Sequence, residues 1–536
     1  MYKSFPKSQP SGSRIQVNPA VQLFGLRFFS DQSVTELLVE FLLMTTSVKR
    51  MRKEPHRTML PSFDLLRSWC SEDTIEYAPR ARLNLKLFSF IGASKLEARN
   101  EVHRRHYGDL VACLRERIRR APSVSSDEVL RTLENLFLGF QGAGGNRIWC
   151  TQTFLPVCKG VLALETNWKR NSSVGLWEDA LDGREEFFSF DKHLFLARGG
   201  ELLYLQVCNA LRQPEASVRE WATAAKVDLE PEELIPVRLH ERLEKALARL
   251  MAECPPAVSD LADFIDHGVE SDTALSTDFI DKDETKPRFA TCGWCPEESW
   301  REGYLFAVEL LHLCEARLDI MDRLELLELA CAMQELRSLA AQSARVICPE
   351  MPFPGYRLAV SDPEGSQEIL KRISQSTAKH VEKTIFQAIR SDAVRVRDPK
   401  DLSQADRKYA GKLYLSVAKR IGFMVPRRGR GARFVLNERI LRYLVLTVVP
   451  AGGRLRYDTF KELVEARHGL VFDGDALGRA GSWTGGTPWG FYGSSMDQWL
   501  LEMLEAAGML RRLSDSCALV ESAAATSGRK AGEHKP

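Results

Sequence analysis

No stretch of this sequence is both long and apolar enough to cross a bilayer. The best candidate, residues 37–44, is interrupted by Glu40 and falls far short of the roughly 20 residues that a spanning helix needs. Residues 1–14 are polar and rich in Ser, Pro and Lys, with no apolar centre, which argues against a secretory leader. Cysteine is sparse, 12 in 536 residues, so a disulfide framework is not the organising device. Cys113, Cys208, Cys314 and Cys331 sit in apolar stretches, where a free thiol behaves as a small hydrophobe. Together these absences point to the reducing cytoplasm.

Catalytic signatures are equally scarce. The chain has ten histidines, and they form no recognisable Ser/His/Asp order. The glycine cluster at 139–145 lacks the Gly-Lys-Ser/Thr ending of a phosphate loop. Cys292 and Cys295 form a CxxC knuckle of the kind that supplies two thiolates to zinc, but no second knuckle exists. His312 and Cys314, the available further donors, are two positions apart on an expected helix and so point to different faces. Two reduced cysteines at a helix entrance are the simpler reading, and no cofactor other than this zinc alternative is expected. His103 and His106 are spaced for one helix face with Glu97 and Glu101, yet neighbouring arginines disfavour a cation there. The Glu-x-Lys spacing of restriction-type nucleases occurs at Glu284 and Lys286 and at Glu533 and Lys535, both in polar surroundings rather than on buried strands. An enzyme is therefore not the favoured reading. A divergent metal-dependent nuclease or hydrolase in the first 250 residues is kept as an alternative.

What is present is length, helical periodicity and a polarised charge. A chain of 536 residues implies roughly three or four domains. Apolar residues recur at helical spacing behind Ser33, and again over 127–138, 201–208, 232–251, 298–314 and 322–345. The last two predict a helical hairpin, acidic outside and Leu-rich inside. The fold class expected is mainly α, in several domains, with small C-terminal β-hairpins. The boundaries expected are flexible tails at 1–15 and 523–536, a helical N-terminal domain over 16–250 and a helical hairpin over 291–350. Between the latter two lies an acidic connector, 251–290, which holds two copies of Asp-Phe-Ile-Asp, at 263–266 and 278–281.

A formal net charge of +2 conceals strong local imbalance. Residues 251–290 carry ten acids and three bases, whereas residues 401–450 carry eleven bases and three acids. Within the basic stretch, Phe423 to Val425 and Arg433 to Leu436 alternate as a hairpin around a turn at 426–431. The tip holds Arg427, Arg428 and Arg430. Arg433 follows on the return strand, and Lys419 and Arg420 precede the hairpin. Gly429 and Gly431 permit positive φ in the turn. Arginine forks suit phosphate oxygens. The same arginines also suit an acidic protein surface, such as the 251–290 segment, or a plain solvated turn.

Further on, the sequence predicts helices over 438–448, 457–468 and 496–507, a glycine-rich insertion at 474–493 before the third, and a last hairpin over 509–520. Three helices and a β-hairpin is the order of a winged helix-turn-helix domain, and residues 437–522 resemble that family in this order of elements. Residues 379–436 look like a partial first copy that carries the basic hairpin. The resemblance implies DNA contact through the wing. It also implies that the second module, whose third helix holds Asp497, Gln498, Glu502 and Glu505, faces protein rather than phosphate. The function expected is a non-catalytic DNA-associated adaptor or scaffold in a bacterial DNA-processing or anti-phage defence assembly. Its partners would be duplex DNA at 423–436, protein subunits at 437–522 and 251–290, and no membrane. A pure protein scaffold is the remaining alternative.

Overall fold

The computed structural model describes residues 3–6, 19–25, 28, 32–69, 73–78, 84–85, 88, 101–118, 123–136, 162, 166–168, 193–195, 199–253, 256–266, 289–391, 399–406, 412–485, 496–514 and 517–522. It is mainly helical, with 63% helix and 11% strand, as the periodicity predicts. The expected tails, the 139–145 glycine cluster, the second Asp-Phe-Ile-Asp copy and both Glu-x-Lys matches lie largely or wholly outside the described residues.

Five helices build the central layer: α1 (Val34–Thr46), α2 (Gly199–Leu211), α3 (Pro236–Ala252), α4 (Trp300–Glu315) and α5 (Ile320–Ile347). Ser33 opens α1 through a capping box, its Oγ accepting the Glu36 N–H at 3.1 Å. Every residue of α2 is buried, which fits a helix apolar nearly all round. Its contact with α4 is so close that a Cβ at Gly303 would lie 2.3 Å from the Gln206 carbonyl oxygen, so only glycine fits there.

The α4–α5 hairpin forms as expected, with the Asp319 carboxylate accepting the Met321 N–H at 2.9 Å at the start of α5. Only some of its acids are on the outside, Asp322 and Glu325 among them, with side chains about half exposed. Glu302, Glu309 and Glu335 are buried, as is Arg337. Arg337 pairs with Glu309 and donates to His468 Nδ1 at 3.0 Å, while Tyr443 Oη donates to Glu309 at 2.7 Å. Helical spacing reports which way a side chain points. It does not report that Arg337 and Arg345 of α5 pair with Glu309 and Glu302 across the hairpin, or that a distant segment adds Tyr443 and His468 to that face.

That distant segment is the C-terminal part. There α6 (Glu368–Ile389), α7 (Leu413–Arg420), α8 (Glu438–Val448), α9 (Tyr457–His468), α10 (Gly474–Trp483) and α11 (Gln498–Ala506) alternate with short strands. The strands are β1 (Leu358–Ser361), β2 (Met424–Val425), β3 (Arg433–Val435), β4 (Arg454–Arg456), β5 (Leu470–Val471), β6 (Leu510–Ser514) and β7 (Cys517–Glu521). One sheet runs β2-β3-β1-β5, with β1 parallel to both β3 and β5. The other runs β4-β7-β6 and is antiparallel throughout. The glycine-rich insertion is helical in its first half, α10, where the Trp483 ring meets His380 at 4.4 Å.

The buried apolar side chains of these parts form one contiguous cluster with members from Phe5 to Val520. A smaller cluster holds Leu85, Phe88, Leu110, Leu114, Leu130, Leu133, Ala262 and Ile265. The last two residues belong to a helix, Pro256–Asp266, inside the segment expected to be a solvated connector. Asp266, from the first Asp-Phe-Ile-Asp copy, is buried and accepts the Leu85 N–H at 2.9 Å. The apolar residues interleaved with the acids are what fold this part. Among the described residues no helix is long and apolar enough to cross a membrane.

The buried pair at Arg337 makes a direct prediction. Arg337→Met strands the Glu309 carboxylate in the core and is expected to cost about 3–5 kcal/mol in denaturant unfolding. Adding Glu309→Gln to that variant removes the stranded charge and should recover part of the loss. A second substitution that only adds to the damage would contradict the pairing.

Candidate nucleic-acid interface

The basic hairpin rises from a firmly built base. Helix α7 ends at Arg420, Gly422 turns the chain, and Phe423 and Met424 enter the core. Strand β2 pairs antiparallel with β3 in the register Met424↔Phe434 and Val425↔Arg433. The Phe423 and Phe434 rings lie 4.9 Å apart beneath the hairpin. The Phe434 N–H donates to Ser374 Oγ of α6 at 2.8 Å, which ties β3 to the helix beside it.

The six bases marked in the sequence separate into two groups. Arg433 is buried. Its guanidinium donates to Ser361 Oγ at 2.7 Å and to the carbonyl oxygens of Asp362 and Pro363 at 2.8 Å each. It clamps β3 to the loop after β1 and does not reach the surface. Arg420 donates to the Gln32 carbonyl oxygen in the N-terminal part and to Ser416 Oγ at 3.4 Å, so it too is engaged within the chain. Arg427, Arg428 and Arg430 are exposed, and among the described residues they make no hydrogen bond or ion pair. Gly429 and Gly431 between and after them take φ of +99° and +83°, the left-handed values that the turn requires. Lys419 is half-buried at the foot of the hairpin. The structure thus brings three arginines together at an exposed tip and withdraws Arg433 from it.

Below the tip a cleft of about 450 Å³ lies between α5, the end of α7 and the start of α8. Arg439 and Arg442 on its wall are paired with Glu325 at 3.4 Å and Asp322 at 3.1 Å. Arg420, Arg427 and Glu438 complete the charged lining. Helix α5 also places Glu335 near Arg420. Burial pushes the Glu335 carboxyl up to about 8, and the Arg420 charge only partly opposes this.

In the C-terminal module α8, β4, α9, α11 and the β6–β7 hairpin follow in that order, and the three strands form one sheet. Asp497, counted among the acids of the third helix, turns inward. Its Oδ2 accepts from Tyr457 Oη and from Lys461 Nζ, each at 2.7 Å, and Lys461 also donates to Asp473 at 2.7 Å. Burial raises the Asp473 carboxyl. For Asp497 burial acts the same way, but the bonds from Lys461 and Tyr457 outweigh it and hold that carboxyl low. Glu502 and Glu505 are exposed. The opposite charge was missed in the sequence. Arg456 and Arg511 flank Leu519 in register on one sheet face, and Arg454 lies two residues before Arg456. These arginines are scattered over separate strands, so no local run announces them.

The CxxC cysteines take separate structural places. Cys292 donates its N–H to the Ile75 carbonyl oxygen at 2.9 Å, and Cys295 Sγ lies 3.3 Å from the Phe5 carbonyl oxygen. Burial pushes the Cys295 thiol up to about 12 and the Cys292 thiol well above its ordinary range, which opposes thiolate formation. His312 faces Glu233 and the Thr447 carbonyl oxygen rather than this pair. Among the described residues no group of three or more His, Cys, Asp or Glu side chains is placed to hold a metal. His103 and His106 lie on a helix, Glu101–Arg117, their side chains outside the described residues.

Glu335 yields a pH prediction. Its folded-state value lies above the ordinary 4.5, so the stability it carries is complete below about pH 4.5 and is lost as pH rises through about 8. Glu335→Gln cannot ionise, so the fall in Tm between about pH 6 and pH 9 should be smaller than in the parent chain. Parallel Tm curves across that range would contradict the assignment.

Comparison with known protein families, with curated proteins and with solved structures finds no match to this chain.

Proposed function

We propose that the chain is a non-catalytic, DNA-associated adaptor that touches the duplex backbone with the hairpin of residues 423–436. The observation that carries this reading is the exposed group of Arg427, Arg428 and Arg430, unmatched among the described residues and held on a hairpin whose base is locked by Arg433 and Ser374. Arginine forks bind phosphate oxygens bidentately, and the fixed base positions the tip for such contact. Such contacts position a protein on DNA without reading sequence. This suits a subunit that brings partner proteins to DNA, in a bacterial DNA-processing or anti-phage defence assembly.

The order of elements and the three-stranded sheet in 437–522 support a winged-helix reading of that module, with 379–436 as a partial first copy. The exposed Glu502 and Glu505 on α11 and the exposed Leu513 at the last hairpin favour protein docking by the second module. The two modules then have different ligands.

The test is duplex binding against salt for the triple variant Arg427→Glu, Arg428→Glu, Arg430→Glu. Removing three phosphate contacts is expected to reduce the slope of log K against log salt by about 2.7 and to weaken binding at every salt concentration. Arg433 is left intact because its loss would disturb the fold. Unchanged affinity and slope would sink the reading. Binding to acidic protein that survives nuclease treatment would favour the scaffold alternative.

A further inference from the structure

Helix α6 runs beside the basic hairpin, and its exposed face is basic where the two meet. Gln375 Nε2 donates to the Gly431 carbonyl oxygen at 3.3 Å, which fixes the helix against the hairpin turn. One turn further along the same face comes Lys379, and one turn beyond that Lys383, both exposed. Burial raises the Glu382 carboxyl, and the Lys419 charge opposes the shift. Lys379, Lys383, Arg427, Arg428 and Arg430 therefore lie on two adjoining elements, joined at Gln375 and Gly431. Glu382 on the same helix is half-buried.

Ion pairing separates these lysines from the other bases of α6. Lys371 and Arg372 are matched by Glu368 at 3.3 Å and 3.2 Å, and Arg390 is paired with Asp406. Lys379 and Lys383 have no such partner among the described residues. The helix is held rigidly. Ile373, Val381, Ile385 and Ala388 are buried on its other side, and Ser374 and Thr377 of that side bond to β3 and β1.

We infer that the exposed face of α6, through Lys379 and Lys383, is a second phosphate-contacting element that lies along the same DNA duplex as the hairpin tip. This rests on the proposed hairpin contact and extends its footprint. From Gln375 to Lys383 the helix advances about 12 Å, and the two lysines stand about 6 Å apart along the axis. A duplex carries a charge every ~3.4 Å on each strand, so the lysines meet different phosphates and the contact lengthens by about four base pairs. A straight, rigid row of cations suits the stiff double strand, and Phe386, the exposed ring one turn beyond Lys383, is covered by the Arg390 guanidinium at 3.5 Å. Single-strand binders instead combine a basic groove with stacking rings.

The experiment compares the full chain, Lys379→Gln/Lys383→Gln, the hairpin triple variant, and a charge-matched control, Lys226→Gln/Lys245→Gln, whose lysines are exposed in the N-terminal part. Each is titrated with a fluorescent duplex over a range of salt, after circular dichroism confirms the fold. The α6 variant is expected to bind several-fold more weakly, with a slope shallower by about 1.8, while the control matches the parent. If the hairpin variant loses binding and the α6 variant matches the parent, this inference is overturned and the hairpin reading stands. If the control loses as much as the α6 variant, only net charge is being read, and the inference also falls. If the parent chain has no affinity for the duplex, the hairpin reading itself fails.

Discussion

A guanidinium at the centre of a protein needs well-placed acceptors, and Arg337 sets that requirement for this fold. Removing the charge from water costs several kcal/mol, which only well-placed acceptors offset. The acceptors come from three parts of the chain: Glu309 on α4, Gln334 one turn back on α5, and His468 at the end of α9. Tyr443 of α8 completes the ring by donating to Glu309. Two C-terminal helices are thereby held against the central hairpin. Arg467 strengthens the join by donating to the carbonyl oxygens of Val227, Asp228 and Thr447. The position of α9 then fixes β5, which pairs with β1, and β1 carries β3 and with it the hairpin tip. A chain of buried contacts thus leads from the core to three exposed arginines.

Along that path the same residue type has opposite uses. Buried arginines such as Arg337, Arg433 and Arg467 donate to carboxylate, imidazole or backbone oxygens and act as cross-links between distant segments. Exposed ones at the tip have no such acceptors among the described residues, and their charge is directed to solvent. A local count of bases in the sequence does not distinguish these uses. Burial and the acceptors within reach do.

Much of the C-terminal part was legible. Asn437 caps α8, its Oδ1 accepting the Ile440 N–H at 2.8 Å, and Gly469 ends α9 in the left-handed region, so both helices begin and end where short-range signals say they do. The hairpin around 426–431 was equally plain from its alternation and its glycines. What was illegible depends on partners far along the chain. Strand β1 is only four residues and pairs in parallel with strands some seventy and a hundred residues away, so nothing local marks it. Arg433 looked like part of the tip because sequence places it there. Only the approach of 361–363 shows that its acceptors lie inside. Helix α10 was hidden by glycines that read as a loop. Glu302 and Glu309 were expected outside because helical spacing does not show that Arg345 and Arg337 of α5 pair with them, or that Tyr443 and His468 close over Glu309.

The central claim is that the exposed tip and the helix face beside it form one contact surface for a duplex. Hydrogen–deuterium exchange of the full chain, with and without a saturating DNA duplex, tests it most directly. The account predicts slowed exchange confined to 424–435 and to the segment of α6 around 375–383, with the buried ring around Arg337 unchanged. Protection elsewhere with none at the hairpin, or no change on adding the duplex, would contradict it.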